Sequence, residues 1–271
     1  MLKTVLKVVA GLVLLAVLGV VGLVVTLRHP MPDAAPSAEG DALAQKVLTA
    51  VAAQQWGNTG AVTWTFSGRN THLWDRQRGL VRVTFANGTV VLLDEARTRS
   101  WARDAAGTMV TSPALAEKAW KSWVNDAFWM MGPAKLMDPG TTRAVVALPD
   151  GGQGLLVRYA SGGATPGDSY LWILGPDGTP TAWRMWVSAL PIPGLLATWE
   201  DWVTLDTGVR VAQQHVLANG LAKPAVTNLR AAATLAQLEP GVDPFAALLA
   251  QQDVEPSRVQ QPQSAPSNAP P

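Results

Sequence analysis

The chain has 271 residues, of which 21 are basic and 20 acidic, so its net charge is close to zero. A near-neutral chain without a basic stripe argues against nucleic acid as a partner. The chain contains no cysteine, which excludes disulfide bonds, thiolate metal sites, thiol catalysis and attachment through a lipidated cysteine.

The N-terminal segment is almost wholly apolar over residues 8–27 and is flanked by the basic residues Lys3, Lys7 and Arg28. Twenty helical residues extend about 30 Å, the thickness of the hydrocarbon core of a bilayer. We therefore predict a membrane anchor over residues 1–29 that includes a transmembrane helix, with a cleaved signal segment as the alternative. The positive-inside tendency then puts the N-terminus in the cytoplasm and the main domain in the periplasm or outside the cell.

Two further segments lack the apolar residues of a core. Residues 30–40 contain three prolines and small residues, and we predict a short spacer there. Residues 251–271 are rich in Pro, Gln and Ser, so they cannot bury enough surface to offset the entropy of ordering. We predict a disordered tail there, and a folded domain over residues 41–250.

The domain begins with a helix and a strand meander. Asp41 is a suitable N-cap for a helix that ends near Trp56. The period then changes to two, with apolar residues alternating with polar ones from residue 62 onward, which is typical of strands. Asn87-Gly88 is a strong hairpin signal between two such runs. This stretch predicts an antiparallel meander.

A second helix follows, because Ser112-Pro113 supplies an N-cap and a proline at the first helical position, and Gly132-Pro133 ends the pattern. Its apolar residues form one stripe that should face the sheet: Trp120, Trp123, Val124, Ala127, Phe128 and Met131. Beyond it we predict seven more strands, at residues 142–148, 153–160, 169–175, 180–188, 196–205, 208–218 and 225–232.

These elements predict an α+β fold. Short hairpin loops join the strands and no helix alternates with them, which excludes a parallel βαβ arrangement. An antiparallel sheet this wide tends to curl. We expect a single curved antiparallel sheet, an incomplete barrel of about 11–12 strands, with two helices on its concave face and the transmembrane helix in front of it.

The sequence contains no catalytic motif. The three histidines, His29, His72 and His215, have no second ligand type at a spacing that suits a metal. Glu200 and Asp201 are adjacent on a predicted strand and so face opposite sides, which keeps them out of a common pocket. We expect no catalytic residue, metal or cofactor, although a cluster of carboxylates deep in one pocket would favour an enzyme.

Four short motifs resemble the LolA/LolB family of outer-membrane lipoprotein carrier and sorting proteins: Leu73-Trp-Asp-Arg76, Asp126-Ala-Phe-Trp129, Thr165-Pro-Gly-Asp-Ser-Tyr-Leu-Trp172 and Ala182-Trp-Arg-Met-Trp-Val187. The order of helices and hairpins over residues 41–235 is similar as well. The resemblance implies a half-barrel whose helix-covered interior binds acyl chains. The carrier of that family is released into the periplasm and its receptor is held by a lipidated cysteine, whereas this chain has neither arrangement.

The leading hypothesis is a membrane-anchored envelope protein that binds a lipid or lipoprotein acyl chain in an apolar cavity without chemistry. All twelve tryptophans lie between residues 56 and 202, and two loops are unusually apolar. Rings of this kind line apolar cavities. The candidate ligand-binding residues are Trp64, Phe66, Trp123, Phe128, Trp186, Ile192, Leu195 and Trp202.

The alternative is an envelope-sensing or scaffolding module that binds a protein partner. Arg97, Arg99 and Arg103 are predicted on one strand face, with Trp101 between them. Such a face is suited to an anionic partner, either a protein or a lipid headgroup.

Overall fold

The computed structural model describes residues 2–251, and the predicted tail from residue 252 onward lies outside the described residues. The helices are α1 (Leu2–Leu27), α2 (Ala38–Ala50), α3 (Pro113–Met131), α4 (Leu235–Leu238) and α5 (Ala246–Leu249). The first strands are β1 (Ala61–Phe66), β2 (Asn70–Asp75), β3 (Leu80–Thr84), β4 (Val90–Asp94) and β5 (Ser100–Arg103). The later strands are β6 (Thr141–Ala147), β7 (Gln153–Tyr159), β8 (Ser169–Leu174), β9 (Pro180–Trp186), β10 (Leu195–Thr198), β11 (Glu200–Thr204), β12 (Arg210–Gln214) and β13 (Val226–Ala232).

The strands form three antiparallel sheets. Sheet A has six strands in the order β13-β1-β2-β3-β4-β5, sheet B has five in the order β10-β9-β8-β7-β6, and sheet C is the hairpin β11-β12. The α+β class and the antiparallel hairpins are confirmed. Asn87-Gly88 lies in the turn between β3 and β4, with Gly88 at φ +82° as this turn requires.

The prediction of one continuous sheet is corrected. The strand expected at residues 196–205 ends at Thr198 and resumes at Glu200, because Leu195–Thr198 pairs with β9 whereas Glu200–Thr204 pairs with β12. Backbone bonds still connect the sheets, because the Thr198 N–H donates to the Val216 carbonyl at 3.1 Å and the His215 N–H donates to the Pro224 carbonyl at 3.0 Å. The thirteen strands of the described chain do not form a closed barrel.

Helices α2 and α3 pack on the inner face of the sheets. Ser112 caps α3 as predicted, accepting a bond from the Leu115 N–H at 3.2 Å. For α2 the predicted cap is wrong: the helix begins at Ala38, and the Ser37 hydroxyl accepts from the Gly40 N–H at 3.1 Å. Asp41 instead lies in the first turn and forms an ion pair with Arg143 of β6.

The inner face carries two cores. In the core of sheet A, valines and tryptophans of β1 to β4 pack against Ala119, Trp123, Ala127 and Met130 of α3. In the core of sheet B, Leu155, Trp172 and Trp183 pack against Ala44 and Val47 of α2 and against the C-terminal half of α3.

The outer faces are covered by segments that were not predicted to pack against the sheets. Phe245 and Leu248, both fully buried, cover Leu73 and Leu80 on the outer face of sheet A. On sheet B, the predicted spacer lies against the strands: the Arg158 guanidinium donates to the Ala34 carbonyl at 2.9 Å.

Helix α1 runs over Leu2–Leu27. Among the described residues, the structure holds no helix that combines the length and the apolar character needed to cross a membrane. The predicted transmembrane span at residues 8–27 is therefore not supported.

Candidate functional site

The eight residues predicted to line a cavity are distributed over three places. Trp64 and Trp123 lie in the core of sheet A, and Phe66 packs at its edge. The core of sheet B takes four of them: Phe128, Ile192, Leu195 and Trp202. Trp186 points to the outer face of sheet B, where its indole N–H donates to the His29 carbonyl at 2.9 Å.

Aromatic rings fill the core of sheet B. Trp183 is surrounded by Trp172, Trp199 and Trp129, with ring centroids 4.9, 4.9 and 5.0 Å away. Trp172, Trp183 and Trp199 are buried, and their indole nitrogens have no hydrogen-bond partner among the described residues. The interior beside these tryptophans is therefore packed with side chains.

His215 belongs to the same cluster. Its Nδ1 lies 2.9 Å from the Thr198 carbonyl, to which it donates, and its ring lies edge-on to Trp199 and Trp129. Burial among these rings lowers the pKa of His215 to about 4, because desolvation disfavours the charged imidazole. His215 is therefore neutral at pH 7.

A buried histidine–aspartate pair joins sheet A to α3. His72 Nε2 lies 2.8 Å from Asp126 Oδ2, and both side chains are buried. The carboxylate also accepts from Asn70 Nδ2 at 3.1 Å and from Asn125 Nδ2 at 3.0 Å, while Trp64 stacks on the imidazole. His72 Nδ1 has no partner among the described residues, so no hydroxyl or thiol nucleophile is hydrogen-bonded to this pair.

A groove of about 290 Å³ lies elsewhere, between β4, β5 and the first turns of α3. Its floor consists of Val91, Leu93 and Ala102, which are all buried. Its walls include Trp120 and Met109, the latter 65% exposed. Pockets that bind small molecules have about this volume or more and are largely apolar with a few polar groups.

Arg97 stands at the rim of this groove. Its guanidinium carbon lies 4.2 Å from the centroid of the Trp120 ring, and its Nη1 lies 3.1 Å from Glu117 Oε2. Its backbone is left-handed, with φ +61°, a conformation that costs a non-glycine residue ~1 kcal/mol. Glycine would adopt this backbone conformation at a lower cost. The presence of arginine here is therefore explained by the contacts of its side chain and not by the backbone.

Arg99 is the second cation that lines the groove. Its Nε lies 3.7 Å from Asp94 Oδ2, a longer separation than in a hydrogen-bonded pair. The Asp94 carboxylate is satisfied by the turn itself, because it accepts from the backbone N–H groups of Thr98 and Arg99 and from the Thr98 hydroxyl. These bonds and the Arg99 charge lower the pKa of Asp94, although its burial opposes them as the largest single effect. The Arg99 guanidinium therefore forms an ion pair with Asp94 without a hydrogen bond to it, and it also lines the groove.

Three charged side chains line the groove in the described part of the chain, Arg97, Arg99 and Glu117. Glu117 is the one carboxylate among its lining residues, and no histidine lines it. Across the described residues there is no group of three or more His, Asp or Glu side chains that could hold a metal. The buried acids lie apart and each has its own partners: Asp75, Asp94, Asp126 and Asp168.

Sequence reasoning identified part of this groove and missed the rest. The predicted arginine face contributes Arg97, Arg99 and Trp101, whereas Arg103 is not among the lining residues. Trp120 was predicted only as part of a core stripe. The His72–Asp126 pair was missed as well, although Asp126 falls on the buried stripe of α3, between Trp123 and Met130, where a charge needs a partner.

Two solved structures are similar to this chain at low identity. A DUF1329 family protein from Desulfovibrio piger is 10% identical, with a TM-score of 0.40, over 77% of this chain and 98% of that one. An outer membrane lipoprotein-sorting protein domain from Vibrio parahaemolyticus is 11% identical, with a TM-score of 0.36, over 74% of this chain and 95% of that one. No family model and no curated protein sequence matches the chain. Both TM-scores lie below 0.5.

Proposed function

We propose that this protein binds an acyl chain of a lipid or lipoprotein without chemistry, and that the groove beside α3 takes the chain. The observation that carries the proposal is an apolar floor of buried Val91, Leu93 and Ala102 that opens to solvent beside Met109 and Trp120. Burying apolar surface of a ligand there is favourable by about 25 cal/mol per Å². The absence of a carboxylate pair or a histidine among the lining residues fits a binding role.

The eight residues predicted from the sequence are a second proposed site. Six of them lie in the inner cores, where rings already occupy the space: Trp64, Trp123, Phe128, Ile192, Leu195 and Trp202. A chain could enter there only if α2 or α3 moved away from the sheets. The groove requires no such movement, so we place it first.

Filling the groove tests the proposal. Ala116 lines the groove, whereas Ala114, two residues earlier on α3, is exposed and does not line it. We expect Ala116→Trp to abolish displacement of the neutral dye Nile red by methyl laurate, and Ala114→Trp, the matched control, to leave it unchanged. Equal displacement in both variants and in the parent protein would show that the acyl chain binds elsewhere, and the inner cores would become the first alternative.

We also propose that α1 attaches the domain to a membrane of the cell envelope, with the domain outside the cytoplasm. The consecutive residues Leu12, Val13, Leu14 and Leu15 are each 57–67% exposed, and at 100° per residue they cover the whole circumference of the helix. Exposed apolar side chains on every side of these turns favour contact with lipid. We expect the full chain to sediment with membranes, and the double variant Leu12→Lys/Leu15→Lys to sediment less; an unchanged distribution would contradict the attachment.

A protein partner remains the second candidate function. β5 is the last strand of sheet A, and among the described residues its outer edge is paired near Arg103, which forms a bridge with Met109. An extended peptide could add to this edge, with its acidic side chains on the arginines. Charge reversal of Arg97, Arg99 and Arg103 separates the two functions: loss of a co-purifying protein with methyl laurate binding intact would favour the partner.

A further inference from the structure

We infer that the groove selects a single-chain fatty acid, whose carboxylate takes the place of the Glu117 carboxylate on Arg97. This inference rests on the proposed function and adds the chemical class of the ligand. Its starting point is that two guanidinium groups, those of Arg97 and Arg99, stand at the rim of the same apolar groove.

Arg97 is held in place by contacts that do not need an anion. Its guanidinium lies over the Trp120 ring at 4.2 Å, a separation typical of cation–π contact. The planar guanidinium also binds carboxylates with two parallel N–H groups, which a lysine cannot do. The Trp120 ring thus holds the guanidinium at the groove, which both residues line.

The carboxylate now on Arg97 is exchangeable. Glu117 is 42% exposed and divides its oxygens between Arg97 Nη1 at 3.1 Å and Lys121 Nζ at 3.3 Å. Exposed pairs of this kind contribute little to stability, so exchange of one carboxylate for another is inexpensive. After the exchange Glu117 keeps Lys121 as a partner, and the anion on Arg97 comes from the ligand.

The size of the groove favours one chain. Its volume of about 290 Å³ is at the lower end of the range for small-molecule pockets, which fits one acyl chain better than two. The chain lies on the floor made by Val91, Leu93 and Ala102, while the headgroup reaches Arg97 and Arg99. A charge-assisted bond at the rim then separates an acid from its uncharged ester.

The test compares laurate with methyl laurate on the full-length protein, with displacement of Nile red as the readout. The two ligands share their chain and differ in the charge of the headgroup. We expect laurate to bind about tenfold more tightly, because one charge-assisted hydrogen bond corresponds to roughly that factor. Arg97→Gln/Arg99→Gln should remove the difference between the two ligands, and its urea unfolding midpoint, compared with that of the parent protein, checks that the variant is folded.

Glu117→Gln gives the sharper result, because it removes the competing carboxylate. We expect it to raise the affinity for laurate several-fold relative to the affinity of the same variant for methyl laurate. Glu239→Gln is the matched control. Glu239 forms an ion pair with Arg82, with Oε1 and Nη2 2.7 Å apart, and neither residue lines the groove. A Glu117→Gln variant with unchanged or weaker laurate binding would overturn the exchange.

The outcomes also separate this inference from the proposed function. If both ligands bind equally and Ala116→Trp blocks both, the acyl site stands and the fatty-acid selectivity is wrong. If neither ligand displaces Nile red, the proposed function itself fails.

Discussion

The buried pair of His72 and Asp126 permits a quantitative test of how α3 is held on sheet A. Asp126→Ala removes a carboxylate that accepts bonds from His72, Asn70 and Asn125 at 2.8–3.1 Å. Removing the acceptor leaves a fully buried imidazole without its partner, and a hydrogen bond to a charged group contributes ~1.5–3 kcal/mol. With about 0.5–1 kcal/mol for each of the two part-buried asparagine bonds added, we expect the free energy of unfolding to fall by about 3–5 kcal/mol.

Urea unfolding followed by tryptophan fluorescence measures this loss, with the midpoint and slope analysed by linear extrapolation. Asp150→Ala is the control, because Asp150 is exposed and accepts a hydrogen bond from the Gly152 N–H in its own turn. We expect that control to change stability by less than ~1 kcal/mol. A double-mutant cycle with His72→Ala should show a coupling of about 1–3 kcal/mol. A loss below ~1 kcal/mol for Asp126→Ala, or an additive cycle, would refute the reasoning.

Three further predictions concern stability. His215 has a pKa of about 4 in the folded protein because of burial, against an ordinary value of 6.5, so the unfolded chain binds its proton first as the pH falls; stability should drop by ~3 kcal/mol between pH 6.5 and 4, and subtracting the profile of His215→Leu should reveal this component. Phe245→Ala should cost about 3–5 kcal/mol because the ring is fully buried on the outer face of sheet A, whereas Val242→Ala, at a residue 90% exposed, should be nearly neutral in the same unfolding assay. Gly60→Ala should cost about 1–3 kcal/mol because its Cβ would overlap with the Ala233 carbonyl oxygen, and Gly57→Ala, which meets nothing within 4 Å, is the control; equal midpoints would contradict the overlap.

Local patterns predicted several elements closely. The Ser112-Pro113 start and the Gly132 end of α3 follow from capping and from the apolar stripe, which depend only on residues within a few turns. Local rules failed where two signals competed. Ser37 rather than Asp41 caps α2, because β6 also holds Ser37 in place: the Ser37 N–H donates to the carbonyl of Arg143 at 3.0 Å.

The groove itself could not be derived from the sequence. Its arginines come from the turn between β4 and β5, while Trp120 and Glu117 come from α3, and their meeting depends on where α3 crosses the edge of sheet A. In the same way, period-two alternation shows that Trp186 and Met185 face opposite sides, but not which side is the interior. Trp186 was assigned to the cavity, and it lies on the outer face instead.

The sequence by itself determined the antiparallel α+β class, the limits of α3 and the hairpin at Asn87-Gly88, because capping, turn chemistry and periodicity act over short distances. Only the tertiary structure decided that β10 and β11 separate, that residues 235–250 cover sheet A, and that Asp126 meets His72. Those outcomes depend on the order and register of strands distant in sequence, so no local pattern encodes them.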